Sequence, residues 1–175
     1  GDDLDPLLGR FDAVRTGGGI TGLATGFADL DGIMGGFQPG SVAILAARPA
    51  VGKSALALNL AANVAEAGAS VVFFSLEMSA LYLRERLALY LGNGGFTMKT
   101  LRGLELAAMS ARIGPAMERL ARLPLHIDDR PAITPLDLRA ALRAAVRKHA
   151  VRFVVIDYLQ LMRPESRRQG ATRND

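Results

Sequence analysis

SVAILAARPAVGKS, residues 41 to 54, is an apolar run that passes through a turn containing proline and glycine and emerges on a lysine and a serine. Ser41 to Ala47 reads as a buried strand, and residues 54 to 67 (SALALNLAANVAEA) read as an alanine- and leucine-rich helix stopped by Gly68. The phosphate-loop pattern G-x-x-x-x-G-K-[ST] sits at such a junction, because the amides of a tight loop and of a helix start must converge on an anion. Gly52, Lys53 and Ser54 supply its second half, while Ala47 stands where the pattern has its first glycine. A plain strand-to-helix turn would also accommodate the glycine. The entering strand, the leaving helix and the turn chemistry of Pro49 and Gly52 favour a phosphate loop that binds a nucleoside triphosphate with Mg²⁺. Arg48, Pro49, Ala50, Val51, Gly52, Lys53 and Ser54 would then cradle the phosphates, with Lys53 on the β- and γ-phosphates and the Ser54 hydroxyl on Mg²⁺.

Working outward, Ile20 to Gly40 is rich in glycine and predicts loops with a short helix. A second buried strand is expected at Ala69 to Leu76, then a helix capped by Ser79 and running to Leu91, then a mostly helical stretch from Thr97 to Leu123. PLHIDD reads as a short strand. Thr134, Pro135 and Asp137 form a capping sequence for a helix ending at His149, and Arg152 to Asp157 (RFVVID) reads as a further strand. Apolar strands alternating with helices imply a parallel sheet covered on both faces, with ligands at the carboxyl ends of its strands. Leu4, Leu7, Leu8, Phe11 and Val14 describe one apolar helical stripe, separated from the rest by Thr16 to Gly19 (TGGG). The expected organisation is a linker helix and hinge at 1–19 and one α/β domain at 20–175.

Two carboxylates stand at predicted strand ends. Asp157 closes FVVID, where an aspartate beside a phosphate loop holds magnesium; a loop or capping aspartate is the plainer reading. Glu77 follows the second strand in FFSLEM, where a carboxylate can deprotonate an attacking water; a solvated surface glutamate is the alternative.

The 175 residues are 50% apolar, enough for a buried core. The absence of cysteine excludes disulfides and thiolate metal sites, and two histidines, His126 and His149, argue against a histidine-built zinc centre. No apolar run reaches the roughly 18 residues of a membrane span, and the acidic start GDDLD is unlike a signal peptide, so a cytoplasmic location is expected. A net charge of +4 permits a polyanionic partner without naming one.

Taken together, ITGLATGFADLD (20–31), AARPAVGKSALALN (46–59), FSLEMS (74–79) and VIDYLQLM (155–162) resemble the C-terminal ATPase domain of the bacterial replicative DNA helicases, the DnaB family. Ala47 in place of glycine is usual in that family. The resemblance spans most of residues 20 to 162 and implies a three-layer α/β/α, RecA-like fold. It further implies ATP and Mg²⁺ as cofactors, Lys53 and Glu77 as catalytic residues, and Ser54 and Asp157 as metal residues. By the same resemblance, the stripe at Leu4 to Val14 corresponds to a linker helix joining subunits of a homohexamer, and Gln160 takes part in the response to nucleotide. Single-stranded DNA, primase and a helicase loader are the implied partners.

Eighteen residues follow Asp157. On the family's pattern the later strands, the DNA-gripping loops, the arginine finger and the N-terminal collar fall outside these 175 residues, so weak activity or none is expected of them alone. Arg163, Arg167, Arg168 and Arg173 form a basic tail, read as solvated or lying near a DNA path. Two other functions share these features. One is a RecA-type recombinase or DNA-repair ATPase, against which SLEM and DYLQLM count; the other is a nucleotide-dependent assembly switch that does not hydrolyse.

Overall fold

The computed structural model describes residues 19–92 and 106–158. The expected helix at Leu4 to Val14, the start of the stretch from Thr97, Gln160 and the basic tail lie outside the described residues. The described elements are α1 (Ala28–Met34), α2 (Lys53–Glu66), β1 (Val71–Ser75), α3 (Ala80–Leu91), α4 (Leu106–Arg122), β2 (Leu125–Asp128), α5 (Pro135–His149) and β3 (Phe153–Asp157). The strands form a parallel sheet in the order β2-β1-β3, with Val71 opposite both Leu125 and Phe153 and Ser75 opposite Asp157.

Strand β1 is central and all five of its residues are buried, which is why it reads as an unbroken apolar run rather than an alternating one. Its side chains divide between the two faces. Val71 and Phe73 join Leu58, Ala61, Val64, Leu83 and Leu87 in a core built with α2 and α3, while Val72 and Phe74 join Ile133 and Leu138 under α5. Alanines at 57, 61, 62 and 65 let α2 lie close against the sheet. The helix stops where expected: Ala67 caps it and Gly68 takes a φ of 88°, a left-handed turn that glycine adopts without cost.

The cap assignments agree with the chain's text. Ser79 Oγ accepts the Tyr82 amide, and Thr134 and Asp137 form a reciprocal capping box on α5 with Pro135 in the first turn. Arg119 of α4 donates to the Leu91 carbonyl at 3.0 Å and pairs with Glu66, tying α4 to α3 and α2.

The glycine-rich segment from Ile20 to Gly40 is held by polar contacts. Asp31, buried in α1, accepts from the amides of Thr25 (2.7 Å) and Gly26 (3.1 Å). Asn63 of α2 donates to the Thr25 carbonyl at 2.9 Å and accepts from the Tyr90 hydroxyl at 2.8 Å. Leu23 and Phe37 exchange backbone hydrogen bonds, and the Phe37 ring sits 4.6 Å from that of Phe153.

One expected strand is absent. Ser41 to Ala47 makes no ladder, and Val42 and Ile44 are 88% and 89% exposed. An apolar run becomes a core strand only where a neighbour takes its backbone hydrogen bonds and flanking layers cover its faces. Among the described residues neither is supplied beyond β3, whose outer edge stays unpaired.

At the opposite edge a groove of about 430 Å³ runs between β2 and α5, with His126, Asp128, Arg130, Ala144, Lys148 and His149 among its lining. The rings of His126 and His149 stack with centroids 3.8 Å apart. Burial, followed by the neighbouring charges of His149 and Lys148, lowers the His126 pKa from 6.5.

A Cβ on Gly22 would lie 2.3 Å from the Phe37 carbonyl oxygen, whereas one on Gly32 meets nothing within 4 Å. Gly22→Ala is therefore expected to destabilise by about 1–3 kcal/mol. Gly32→Ala, inside α1, should be neutral or stabilising by up to about 1 kcal/mol. Urea unfolding of the two variants checks the contrast.

Candidate functional site

The loop before α2 is an open shelf: residues 48 to 52 are all exposed. Its backbone turns twice through the left-handed region, at Ala50 (φ 64°) and at Gly52 (φ 111°), with the Val51 amide directed to the Arg48 carbonyl at 3.4 Å. A left-handed alanine is strained, and such strain gathers where a loop must aim its amides. Gly52 is the N-cap of α2, and it brings no side chain to satisfy the first amides of the helix. No acidic residue occupies that first turn either. Among the described residues no side chain caps the helix start, which presents its first N–H groups and the positive end of the helix dipole to an anion.

Lys53 and Ser54 are the first two residues of α2. Lys53 reaches across to β3, where its Nζ lies 2.7 Å from Asp157 Oδ1. The two side chains differ in environment: that of Lys53 is 26% exposed, that of Asp157 only 4%. Asp157 Oδ2 is buried and accepts no hydrogen bond from any described group. A carboxylate taken out of water normally has both oxygens satisfied, so an orphaned one marks an acceptor position that a hard cation or its water can fill. Lys53 Nζ also lies 4.0 Å from the centre of the Tyr158 ring.

Glu77 lies two residues beyond β1 and is exposed. The strand ends bring it toward Asp157. Ser75 pairs with Asp157 in register, and the Leu76 amide donates to the Asp157 carbonyl at 2.8 Å. Ser75 then turns the chain, its hydroxyl donating to the Met78 carbonyl at 2.6 Å and accepting the Met78 amide at 3.2 Å. Glu77 is thus held at the crest of a short turn above the carboxyl edge of the sheet. No cluster of three or more His, Cys, Asp or Glu side chains suited to a metal occurs among the described residues. A divalent ion here would rest on one carboxylate, one hydroxyl and a ligand's own oxygens, a set that suits Mg²⁺.

Two contacts were not anticipated from sequence. The Asn63 bridge to Thr25 and Tyr90 has no signal in a helix that reads as uniformly apolar. Tyr158 was legible only as the neighbour of Asp157.

A parallel sheet with helices on both faces, a turn that places a lysine at the start of α2 and a carboxylate at the end of the adjoining strand describe a RecA-like α/β domain. The family described as DnaB-like helicase C terminal domain matches residues 22–175, and the chain belongs to that family. It is 41% identical over 152 residues to the replicative DNA helicase DnaB of Geobacillus stearothermophilus, and 40% identical over 152 residues to the replicative DNA helicase DnaC of Bacillus subtilis. Each alignment takes in 86% of this chain but 33% of the relative, so the chain spans about a third of their length. Among solved structures it superposes on the ATPase domain of G40P with a TM-score of 0.80 at 26% identity, covering 98% of this chain and 62% of that one. It also superposes on a DnaB-like replicative helicase studied for its interactions with primase, with a TM-score of 0.78 at 28% identity, covering 100% and 41%. These relatives favour the replicative helicase reading over a recombinase or an assembly switch.

Lys53→Met removes the cation facing a buried carboxylate. Because Lys53 is partly solvated, the expected loss is about 1–2 kcal/mol rather than the value for a fully buried pair. Adding Asp157→Asn should recover most of it. Urea unfolding of both single variants and the double variant gives the coupling, and a double variant whose loss is the sum of the two would show that the pair is not coupled.

Proposed function

We propose that this chain is the ATP-binding motor domain of a hexameric replicative DNA helicase, in which ATP hydrolysis drives translocation on single-stranded DNA and duplex unwinding. The observation that carries the reading is the Lys53–Asp157 pair at the uncapped start of α2, with Asp157 Oδ2 left as an open acceptor. Membership of the DnaB-like family supports it.

In this reading the backbone N–H groups of residues 50 to 54 donate to the phosphate oxygens of ATP, and Lys53 moves from Asp157 onto the β- and γ-phosphates. Ser54 and Asp157 are the residues that would hold Mg²⁺, with Asp157 acting through water. The ion, when bound, neutralises charge on the β- and γ-oxygens. Glu77 accepts a proton from the attacking water as that oxygen bonds to the γ-phosphorus and the bridging oxygen departs with ADP.

The hexamer contacts of this reading are made with further copies of the chain. We assign residues 1–19 as a linker arm that joins neighbouring subunits of a homohexamer, and residues 20–175 as the motor domain. Single-stranded DNA, primase and a loader are the proposed partners, in a cytoplasmic setting. No described helix is long and apolar enough to cross a membrane.

Calorimetric titration with MgATP and single-turnover hydrolysis separate the roles. Lys53→Ala is expected to weaken binding by roughly tenfold or more, the size of one charge-assisted hydrogen bond. Glu77→Gln should bind within about twofold of the parent while hydrolysis falls by about 10²–10⁴. Unimpaired hydrolysis in Glu77→Gln would remove that residue from the mechanism, and unimpaired binding in Lys53→Ala would remove the phosphate loop.

A further inference from the structure

We propose that Tyr158 is a positioning residue that, together with Asp157, parks Lys53 away from the phosphate loop when nucleotide is absent, so that nucleotide must compete for its own lysine. This rests on the phosphate-loop reading above.

The geometry places three groups in one line of contact. Lys53 Nζ has Asp157 Oδ1 at 2.7 Å and the centre of the Tyr158 ring at 4.0 Å, well inside the range in which the negative face of a ring attracts an ammonium. The two contacts come from consecutive residues at the end of β3, while Lys53 belongs to α2, so the parked lysine bridges two elements. A lysine bound to phosphate cannot keep its ion pair with a carboxylate that is itself turned toward a metal. On this proposal the ring contact belongs to the arrangement in which Lys53 faces Asp157, and it is given up when the lysine turns to a phosphate. Any interaction that favours a binding-incompetent state lowers apparent affinity by the fraction of molecules held in it. Parking also answers a physical need, since Asp157 is nearly dry and a buried carboxylate requires a counter-charge.

Tyr158→Leu keeps an apolar side chain and removes the ring; Tyr158→Phe keeps the ring and removes the hydroxyl; Tyr158→Trp enlarges the π-face. With the full 175-residue chain, MgATP affinity is measured by titration and the ring contact by the upfield displacement of the Lys53 ε-methylene protons in nucleotide-free protein. The expected result is MgATP binding about 3–10-fold tighter in Tyr158→Leu, the range a partly solvated cation–π contact confers. Tyr158→Phe should match the parent and Tyr158→Trp should bind more weakly. The upfield displacement should be lost only in Tyr158→Leu. A tyrosine that merely packs would give weaker binding in Tyr158→Leu, and weaker or unchanged binding there overturns the proposal. Failure of the parent chain to bind MgATP, with the ring contact still visible, would instead bring down the phosphate-loop reading and this proposal with it.

Discussion

A lysine at the start of α2 meets an aspartate at the end of β3, and the remainder of the site is arranged around that one ion pair. Its demands are asymmetric. Asp157 is almost wholly removed from water, a state a carboxylate tolerates only with compensating charge, and Lys53 together with the N-terminal end of the α2 dipole provides it. Among the described residues the second carboxylate oxygen has no donor. The pair thus offsets the buried charge and leaves one acceptor for a ligand that brings its own cation.

The fold exists to hold those two residues in reach of one another. α2 presses on the sheet through alanines, which brings its first turn over the strand ends, and β1 occupies the middle so that β3 lies on one side of it and β2 on the other. The register that sets Ser75 against Asp157 also sets where the chain leaves β1, and the Ser75 turn fixes the height at which Glu77 stands. Asn63 then pins the Thr25 to Asp31 segment to the same helix.

Much of this was legible before any coordinates. The strands at 71–75, 125–128 and 153–157 and the caps at Ser79 and Thr134 fall inside the segments expected of them, because apolar runs bounded by cap and turn residues carry their own local physics. Lys53 and Asp157 were expected in one crevice and they touch. Ser41 to Ala47 shows where reading fails: Val42 and Ile44 state a preference for burial, but whether a strand forms depends on a neighbour that a local pattern does not contain. Asn63 and Tyr158 were opaque for a related reason, since each acquires its meaning from a partner distant in sequence or from the direction in which a lysine happens to reach.

On the proposed function the anion site is the first turn of α2 facing Asp157. The most direct measurement is a backbone-amide NMR titration of the 175-residue chain with MgATP. The amides of Val51, Gly52, Lys53 and Ser54, along with Asp157, are expected to move first and furthest, and to return when the magnesium is chelated and the nucleotide removed. Unmoved signals there, with shifts instead around His126, Lys148 and His149 in the groove between β2 and α5, would contradict it.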